Sequence, residues 1–351
     1  MGTNEKTPTI ELNSGDKILV SRTDRLGDLI LALPLVETLK ARYPECRVDV
    51  MSSLYASPIL ENNPRIDKIF RVQNDQLKSS KLYRKDILHK LKMADYNVVV
   101  VLYPERLISG LLHKANIPYR IGTIGRFHSV LFNVHLFHSR KQNKKHEAEY
   151  NLDYLKFFRD GETIHMPTVY PLEKDIRNAK RILKEAGVES PFVVLHPGSG
   201  GSADRWPLKK FIQLYAQLEK RGLNVVVSGS EQERPIIEKA AARQKLRVTH
   251  IAGETDMRTL AAVLSRACTV VANSTGPLHL AVAVGTRVVG LYPSRKIMSP
   301  VRWGPLGKGH RVIQPPASED DISTDHHTRM DTIPVDEVLQ QVLTVHETCV
   351  K

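Results

Sequence analysis

Apolar runs and amphipathic stretches alternate along nearly the whole chain. Short runs with few polar breaks stand at 17–21, 46–51, 67–71, 97–102 and 118–121. A second series stands at 191–196, 223–228, 247–251, 267–272, 287–291 and 310–314. Their length and near-continuous apolarity suit strands buried on both faces. Between them apolar residues recur at helical spacing, at 28–43, 53–62, 77–93 and 105–115, then at 173–187, 207–221, 231–244, 256–266 and 276–284. The helix expected at 28–43 places Leu29, Ile30, Leu33, Val36 and Leu39 on one face. This alternation predicts an α/β protein with parallel, doubly wound sheets. Two series of similar size, each opening on a strand, predict two domains. The join is placed at Met166-Pro167-Thr168-Val169-Tyr170-Pro171, where two prolines disfavour helix. The predicted organisation is therefore 1–170, 171–333 and a closing helix in 334–351 that begins at Pro334. The stretch 315–332 has little periodicity and reads as surface loop.

Composition narrows the class. A chain of 351 residues is too long for one ordinary core, and 41% apolar with 25% charged residues is usual for a globular protein. No apolar run approaches the roughly 20 residues that cross a bilayer. Met1 to Asp16 is polar and lacks a signal-peptide core. Cys46, Cys268 and Cys349 form no metal or disulfide pattern, which fits a reducing compartment, so a cytoplasmic location is expected.

The net charge of +13 changes the picture. Residues 77–92 hold six Lys/Arg against Asp86 alone, and residues 101–150 hold eight against three acidic residues. Such surfaces attract phosphates, nucleic acid or anionic lipid. In 77–92, Leu77, Leu82, Tyr83, Ile87, Leu88 and Leu91 stand near helical spacing. That stripe either lies on a membrane or, more simply, packs on its own sheet. No basic motif is interleaved with aromatic residues, so nucleic acid is not expected as a partner.

Candidate chemistry sits where strands give way to helices. Arg22-Thr23-Asp24-Arg25-Leu26-Gly27-Asp28 follows the first strand. One glycine and two carboxylates suit proton abstraction better than phosphate binding, with Asp28 as the base and Asp24 as its rival. The alternative for Asp28 is a helix cap. His196-Pro197-Gly198-Ser199-Gly200-Gly201-Ser202 follows another strand, and Arg205 lies just beyond. Glycines that let backbone N–H groups crowd an anion, with serine hydroxyls before a helix, favour phosphate binding. Asn273-Ser274-Thr275-Gly276-Pro277-Leu278-His279-Leu280 repeats the arrangement. Ser274 or Thr275 is expected to cap the helix, and His279 stands one turn in. Asn273-Ser274-Thr275 is also a glycosylation sequon, without meaning unless the chain is secreted.

Together these segments resemble the lipopolysaccharide heptosyltransferases of glycosyltransferase family 9, along nearly the whole chain and in order. His146-Glu147-Ala148-Glu149-Tyr150-Asn151-Leu152-Asp153 and Trp303-Gly304-Pro305 add to the likeness. The resemblance implies a GT-B fold, two Rossmann-like domains facing across a cleft. It implies inverting, metal-independent transfer of a heptose from ADP-heptose to a sugar of the lipopolysaccharide core. Asp28 matches the family's base. Ser199, Gly200 and Gly201 match diphosphate contacts, and Thr275, Gly276 and His279 match donor contacts. Glu231 or Glu233 matches a ribose contact. The glycolipid acceptor would meet the first domain, with the basic segments toward the inner membrane's cytoplasmic face. Two positions depart from the family. Asp204 stands where a lysine is frequent, leaving Arg205 as the nearby cation, and Ser274 stands where an aspartate holds donor-sugar hydroxyls.

Two other classes fit the same features. A sugar epimerase on this fold would need further acid–base groups in the crevice. A non-catalytic polyanion binder would bind in a salt-dependent way without turnover.

Overall fold

The computed structural model of the protein describes residues 9–124, 127–161, 164–201, 204–316 and 329–350. The chain divides into two compact units between Pro167 and Thr168. The first holds six strands: β1 Lys17–Ser21, β2 Arg47–Ser53, β3 Lys68–Val72, β4 Val98–Val101, β5 Tyr119–Thr123 and β6 Val134–Leu136. All pair in parallel, in the order β3-β2-β1-β4-β5-β6. The order reverses between β1 and β4, where Ser21 lies beside Val101. In open α/β sheets the crevice at the carboxyl ends of such strands is where ligands bind.

The second unit has five parallel strands: β7 Phe192–His196, β8 Asn224–Val227, β9 Thr269–Asn273, β10 Arg287–Leu291 and β11 Arg311–Ile313. Their order is β11-β10-β9-β7-β8, and the reversal falls between β7 and β9. His196 is level with Ala272 there. The strand cores are fully buried, as Val98–Val101 and Phe192–Leu195 illustrate. That double-sided burial is why they read as unbroken apolar runs. The closing helix, Val335–Val350, packs Val338, Leu339, Val342 and Val345 into the second unit's core.

Several expectations are corrected. The helix expected at 28–43 is two, Leu26–Ile30 and Leu33–Arg42, because Pro34 at the start of the second cannot continue the first's hydrogen bonding. The stretch 77–93 is likewise split into Asn74–Ser79 and Lys81–Ala94, with the Ser80 hydroxyl accepting from the Tyr83 N–H at 3.1 Å. The region 53–62 gives only a short 3₁₀ turn, Ser57–Leu60. At 247–251 only His250 bridges to Val227. The short strand β6 and the helix Glu147–Leu152 are additional.

The cysteine reading is also corrected. Cys268 and Cys349 form a disulfide, with Cα atoms 5.6 Å apart. Cys268 immediately precedes β9 and Cys349 lies in the last turn of the closing helix, so packing joins residues 81 positions apart. Cys46 is a buried free thiol. The apolar stripe of 77–92 belongs to the core. Leu77, Ile87 and Leu91 are buried against Val99, Val101 and Ile108, and Tyr83 and Leu88 pack beside them. Leu82 alone points out, 78% exposed. Among the described residues no helix is long and apolar enough to cross a membrane.

Candidate active site

Each unit places one predicted motif at its reversal point. In the first, the chain leaves β1 through Arg22, and Arg22 organises everything near it. Its side chain is buried. Nε donates to Asp24 Oδ1 at 2.7 Å and Nη2 to Asp24 Oδ2 at 3.0 Å. Nη2 also donates to Asp28 Oδ1, and Nη1 to Glu147 Oε1 at 3.1 Å. Burial pulls the guanidinium pKa down, but Asp28, Asp24 and Glu147 outweigh it, and Arg22 titrates above its ordinary range.

Glu147 and Asn151 come from the short helix Glu147–Leu152, whose start is fixed by a reciprocal cap. The His146 side chain accepts from the Ala148 N–H at 3.2 Å, and the His146 N–H donates to Glu149 at 2.7 Å. Asn151 Nδ2 donates to Leu31 O at 2.9 Å, which ties this helix to the break after Asp28. Arg140 joins from the other side, with Nε 3.2 Å from Glu147 Oε1 and Nη2 donating to Asn151 at 3.1 Å. Arg22, Arg140, Glu147 and Asn151 were given no role from sequence. The available signal was an arginine opening the Arg22–Asp28 segment and a Glu-Ala-Glu-Tyr-Asn run. Both look like ordinary surface polarity without the fold.

Asp28 lies in the first turn of Leu26–Ile30, not at its cap, which is Arg25 and makes no side-chain capping bond. The capping alternative is therefore excluded. Of the two rival carboxylates, Asp24 spends both oxygens on Arg22, whereas Asp28 meets Arg22 through Oδ1. The Asp28 side chain is 14% exposed, open to a reactant yet partly withdrawn from water.

In the second unit the loop after β7 turns through Gly200 at φ +52° and Gly201 at φ +74°. Glycine adopts such positive-φ turns without strain, and a turn of this kind can present backbone N–H groups to an anion. Ser199 is buried just before them. Glu233 packs directly over this loop, since a Cβ at Gly198 would stand 2.5 Å from Glu233 Oε1. Glu233 is held in place by the Ser230 N–H at 2.8 Å and hydroxyl at 3.0 Å. Of the two acidic candidates after β8, Glu233 is thus turned inward and Glu231 is exposed.

Beneath the loop, His196 is buried with Nδ1 2.9 Å from Ser228 Oγ. Burial pushes its pKa down to about 4 against the opposing pull of Glu233, so it is neutral at neutral pH. Arg205 is exposed beyond the loop. Asp204 faces Arg295, with 3.7 Å between Nη1 and Oδ2. Ser202 and the Asp325-His326-His327 cluster, read from sequence as loop, lie outside the described residues.

The loop after β9 meets the loop after β7 through Asn273, which is fully buried. Asn273 Oδ1 accepts from the Trp206 N–H at 2.9 Å, and its Nδ2 donates to Pro197 O at 2.9 Å. From sequence this residue was read as the first position of the Asn273–Leu280 motif and of a sequon, with no role of its own. Thr275 is the N-cap of helix Gly276–Ala283, but its hydroxyl donates back to Asn273 O at 3.2 Å and makes no cap. The expected side-chain cap is not made at Thr275, whose hydroxyl is turned toward Asn273 O instead. His279 is buried in the helix's first turn. Burial raises the Tyr292 phenol, and a side-chain hydrogen bond with Ser274 offsets part of this. Ser199, Gly200, Gly201, Ser274, Thr275, Gly276 and His279 thus gather at one sheet edge, while Glu231 stands at the neighbouring end of β8.

Comparison with known proteins decides the family. The model of glycosyltransferase family 9 (heptosyltransferase) matches residues 84–332. The chain belongs to glycosyltransferase family 9. It is accordingly a glycosyltransferase, and its paired parallel-sheet domains are the GT-B fold. Lipopolysaccharide heptosyltransferase 2 of Salmonella typhimurium is 28% identical over 310 residues, covering 85% of this chain and 88% of that protein. Among solved structures, a family 9 glycosyl transferase from Veillonella parvula superposes with a TM-score of 0.86 at 19% identity, covering 97% of this chain and 99% of that one. The ADP-heptose lipopolysaccharide heptosyltransferase II of E. coli gives 0.78 at 23%, covering 95% and 100%. In this chain a carboxylate stands at one reversal point and a glycine turn at the other.

Proposed function

We propose that the chain moves a heptose from ADP-heptose to a sugar of the lipopolysaccharide core, with inversion and without a metal. The observation that carries this reading is the pair of reversal-point motifs: Asp28 held by Arg22 in one sheet, Gly200–Gly201 in the other. The acceptor hydroxyl oxygen attacks the anomeric carbon as the bond to the ADP oxygen breaks. The hydroxyl proton passes to the Asp28 carboxylate, and ADP leaves with the bonding electron pair. Backbone N–H groups at 199–201 and at the start of helix Gly276–Ala283 stabilise the charge growing on the diphosphate, with Arg205 adding positive charge. Thr275 and His279 hold the donor, and Glu231, exposed at the end of β8, meets the ribose.

Asp28→Asn is the test. Transfer from ADP-heptose to truncated lipopolysaccharide is expected to fall by about 10²–10⁴ while ADP still binds. Turnover close to wild type would reject Asp28 as the base. Persistence of transfer in strong chelator supports the metal-free reading, and loss of transfer restored by a divalent ion overturns it.

The finer reading of the partner is that the first unit meets the glycolipid at the inner membrane's cytoplasmic face. On helix Lys81–Ala94 the cations Lys81, Lys85 and Lys92 are exposed beside Leu82. Arg84 is not equivalent, since Nη1 donates to Leu77 O at 2.6 Å and Lys78 O at 3.1 Å and so caps the preceding helix. Lys81→Glu with Lys85→Glu is expected to raise KM for the lipid acceptor severalfold and leave ADP affinity alone. Wild-type flotation with anionic liposomes should weaken at high salt. Unchanged acceptor kinetics together with no flotation would remove the membrane reading.

A further inference from the structure

An anion-binding loop that carries its own carboxylate works against itself unless a cation holds that carboxylate aside. Asp204 is such a carboxylate, three residues past Gly201 and two before Trp206 in the loop pinned by Asn273. Its partner is Arg295, on the segment leaving β10. Strands β7, β9 and β10 are consecutive in the sheet, so this segment emerges at the same carboxyl edge as the glycine turn.

The Asp204–Arg295 pair is a loose one. Its 3.7 Å separation is beyond ordinary hydrogen-bond length. Asp204 Oδ2 and Arg295 Nε are both shut off from solvent, and neither has a hydrogen-bond partner among the described residues. Buried polar atoms are nearly always satisfied, and a guanidinium offers five donors in a planar fork. Here the fork is aimed at the anion loop with donor capacity left over. Both side chains keep about a third of their surface open, 29% for Arg295 and 32% for Asp204, so a ligand can reach them.

We propose that Arg295 is a diphosphate-binding residue of the donor site, exchanging Asp204 for the sugar-linked phosphate when the nucleotide sugar enters. This rests on reading residues 196–205 as the donor loop. Phosphate offers geometry that a guanidinium fork can grip bidentately, which the carboxylate at 3.7 Å does not achieve. Asp204 acts as a positioning residue: it keeps Arg295 oriented while the loop is empty and competes with the ligand. The exchange forms and breaks no covalent bond.

Calorimetry on the full chain, with ADP, AMP and inorganic pyrophosphate as probes, tests the assignment. Arg295→Gln should lower ADP and pyrophosphate affinity by roughly ten- to a hundredfold, as loss of a charged hydrogen bond implies. AMP affinity should change by less than about threefold, and Arg295→Lys should recover part of the ADP affinity. Asp204→Asn should tighten ADP binding severalfold, and this gain should vanish in the Arg295→Gln background. A purely structural pair would give the opposite sign, with Asp204→Asn weakening all three probes. Urea unfolding followed by tryptophan fluorescence confirms that Arg295→Gln stays folded. Arg295→Gln binding ADP as wild type does, or losing AMP in step with ADP, overturns the assignment. Wild type that prefers ADP to AMP with no response to Arg295→Gln refutes only the role of Arg295. Wild type with no preference for ADP over AMP refutes the donor-loop reading and this inference together.

Discussion

Replacing Asn273 by alanine removes the two hydrogen bonds that hold the loop after β7 to the end of β9. The Trp206 N–H and the Pro197 carbonyl, each 2.9 Å from the amide, then lose their partner. Trp206 is 1% exposed and Pro197 is buried, so neither gains full solvation. A buried polar group left unpaired costs about 1–3 kcal/mol, and two of them, with some relaxation, about 2–4 kcal/mol. Asn273→Asp is the sharper probe. It keeps the acceptor for Trp206 but sets an oxygen against the Pro197 carbonyl and buries a charge, so it should destabilise at least as much as alanine. The assay is urea unfolding by tryptophan fluorescence. The chain's two tryptophans, Trp206 and Trp303, both lie in the second unit, so the signal reports that unit alone. ADP affinity should fall about tenfold, because the glycine turn would have to be ordered on binding. Stability within about 0.5 kcal/mol of wild type in both variants, with unchanged ADP affinity, would refute the clamp.

Gly200→Ala, at φ +52° with nothing within 4 Å to obstruct a methyl group, should cost about 1 kcal/mol through backbone strain alone and weaken ADP binding. Unchanged affinity speaks against anion binding at this turn. His196, pushed down to about 4, binds its proton more weakly folded than unfolded, so its contribution is full above the ordinary histidine pKa of about 6.5. That contribution is lost as pH falls toward 4 and amounts to roughly 3 kcal/mol at most, so His196→Asn should flatten the urea midpoint against pH in that window. A variant curve parallel to wild type counts against a buried neutral imidazole. Cys268→Ser, or reductant, releases a link spanning 81 residues and should lower the second unit's stability by up to about 4 kcal/mol. Three titratable thiols in unreduced, denatured protein would show the bond is not formed.

The strands were legible because burial on both faces writes continuous apolar runs, as Val98–Val101 and Phe192–Leu195 do. Tertiary dependence explains the misses. Strand β6 has three residues, too few for a period. The helix Glu147–Leu152 buries Glu147 and Asn151, residue types that read as surface, and their reason for being inside is Arg22, 125 positions earlier. Asp28 stood out in the sequence because a carboxylate after a strand has few bland uses. Arg22 did not, because its meaning lies in three carboxylates that only the fold assembles. Asn273 sat inside a recognised motif, but a sequon hid a clamp whose partners are 67 and 76 residues away. The disulfide escaped for the same reason.

The sharing of Arg22 bears on the proposed role of Asp28 as a base. A carboxylate with an arginine to itself is held ionised and gives up basicity for that stability. Here one guanidinium faces Asp24, Asp28 and Glu147, and Arg140 also approaches Glu147, at 3.2 Å. Neighbouring carboxylates oppose one another's charge, so a proton arriving at one of the three eases that repulsion. Asp24, with both oxygens on the guanidinium, keeps Arg22 oriented. The cluster thus ties the proposed base to the helix Glu147–Leu152 through one shared arginine.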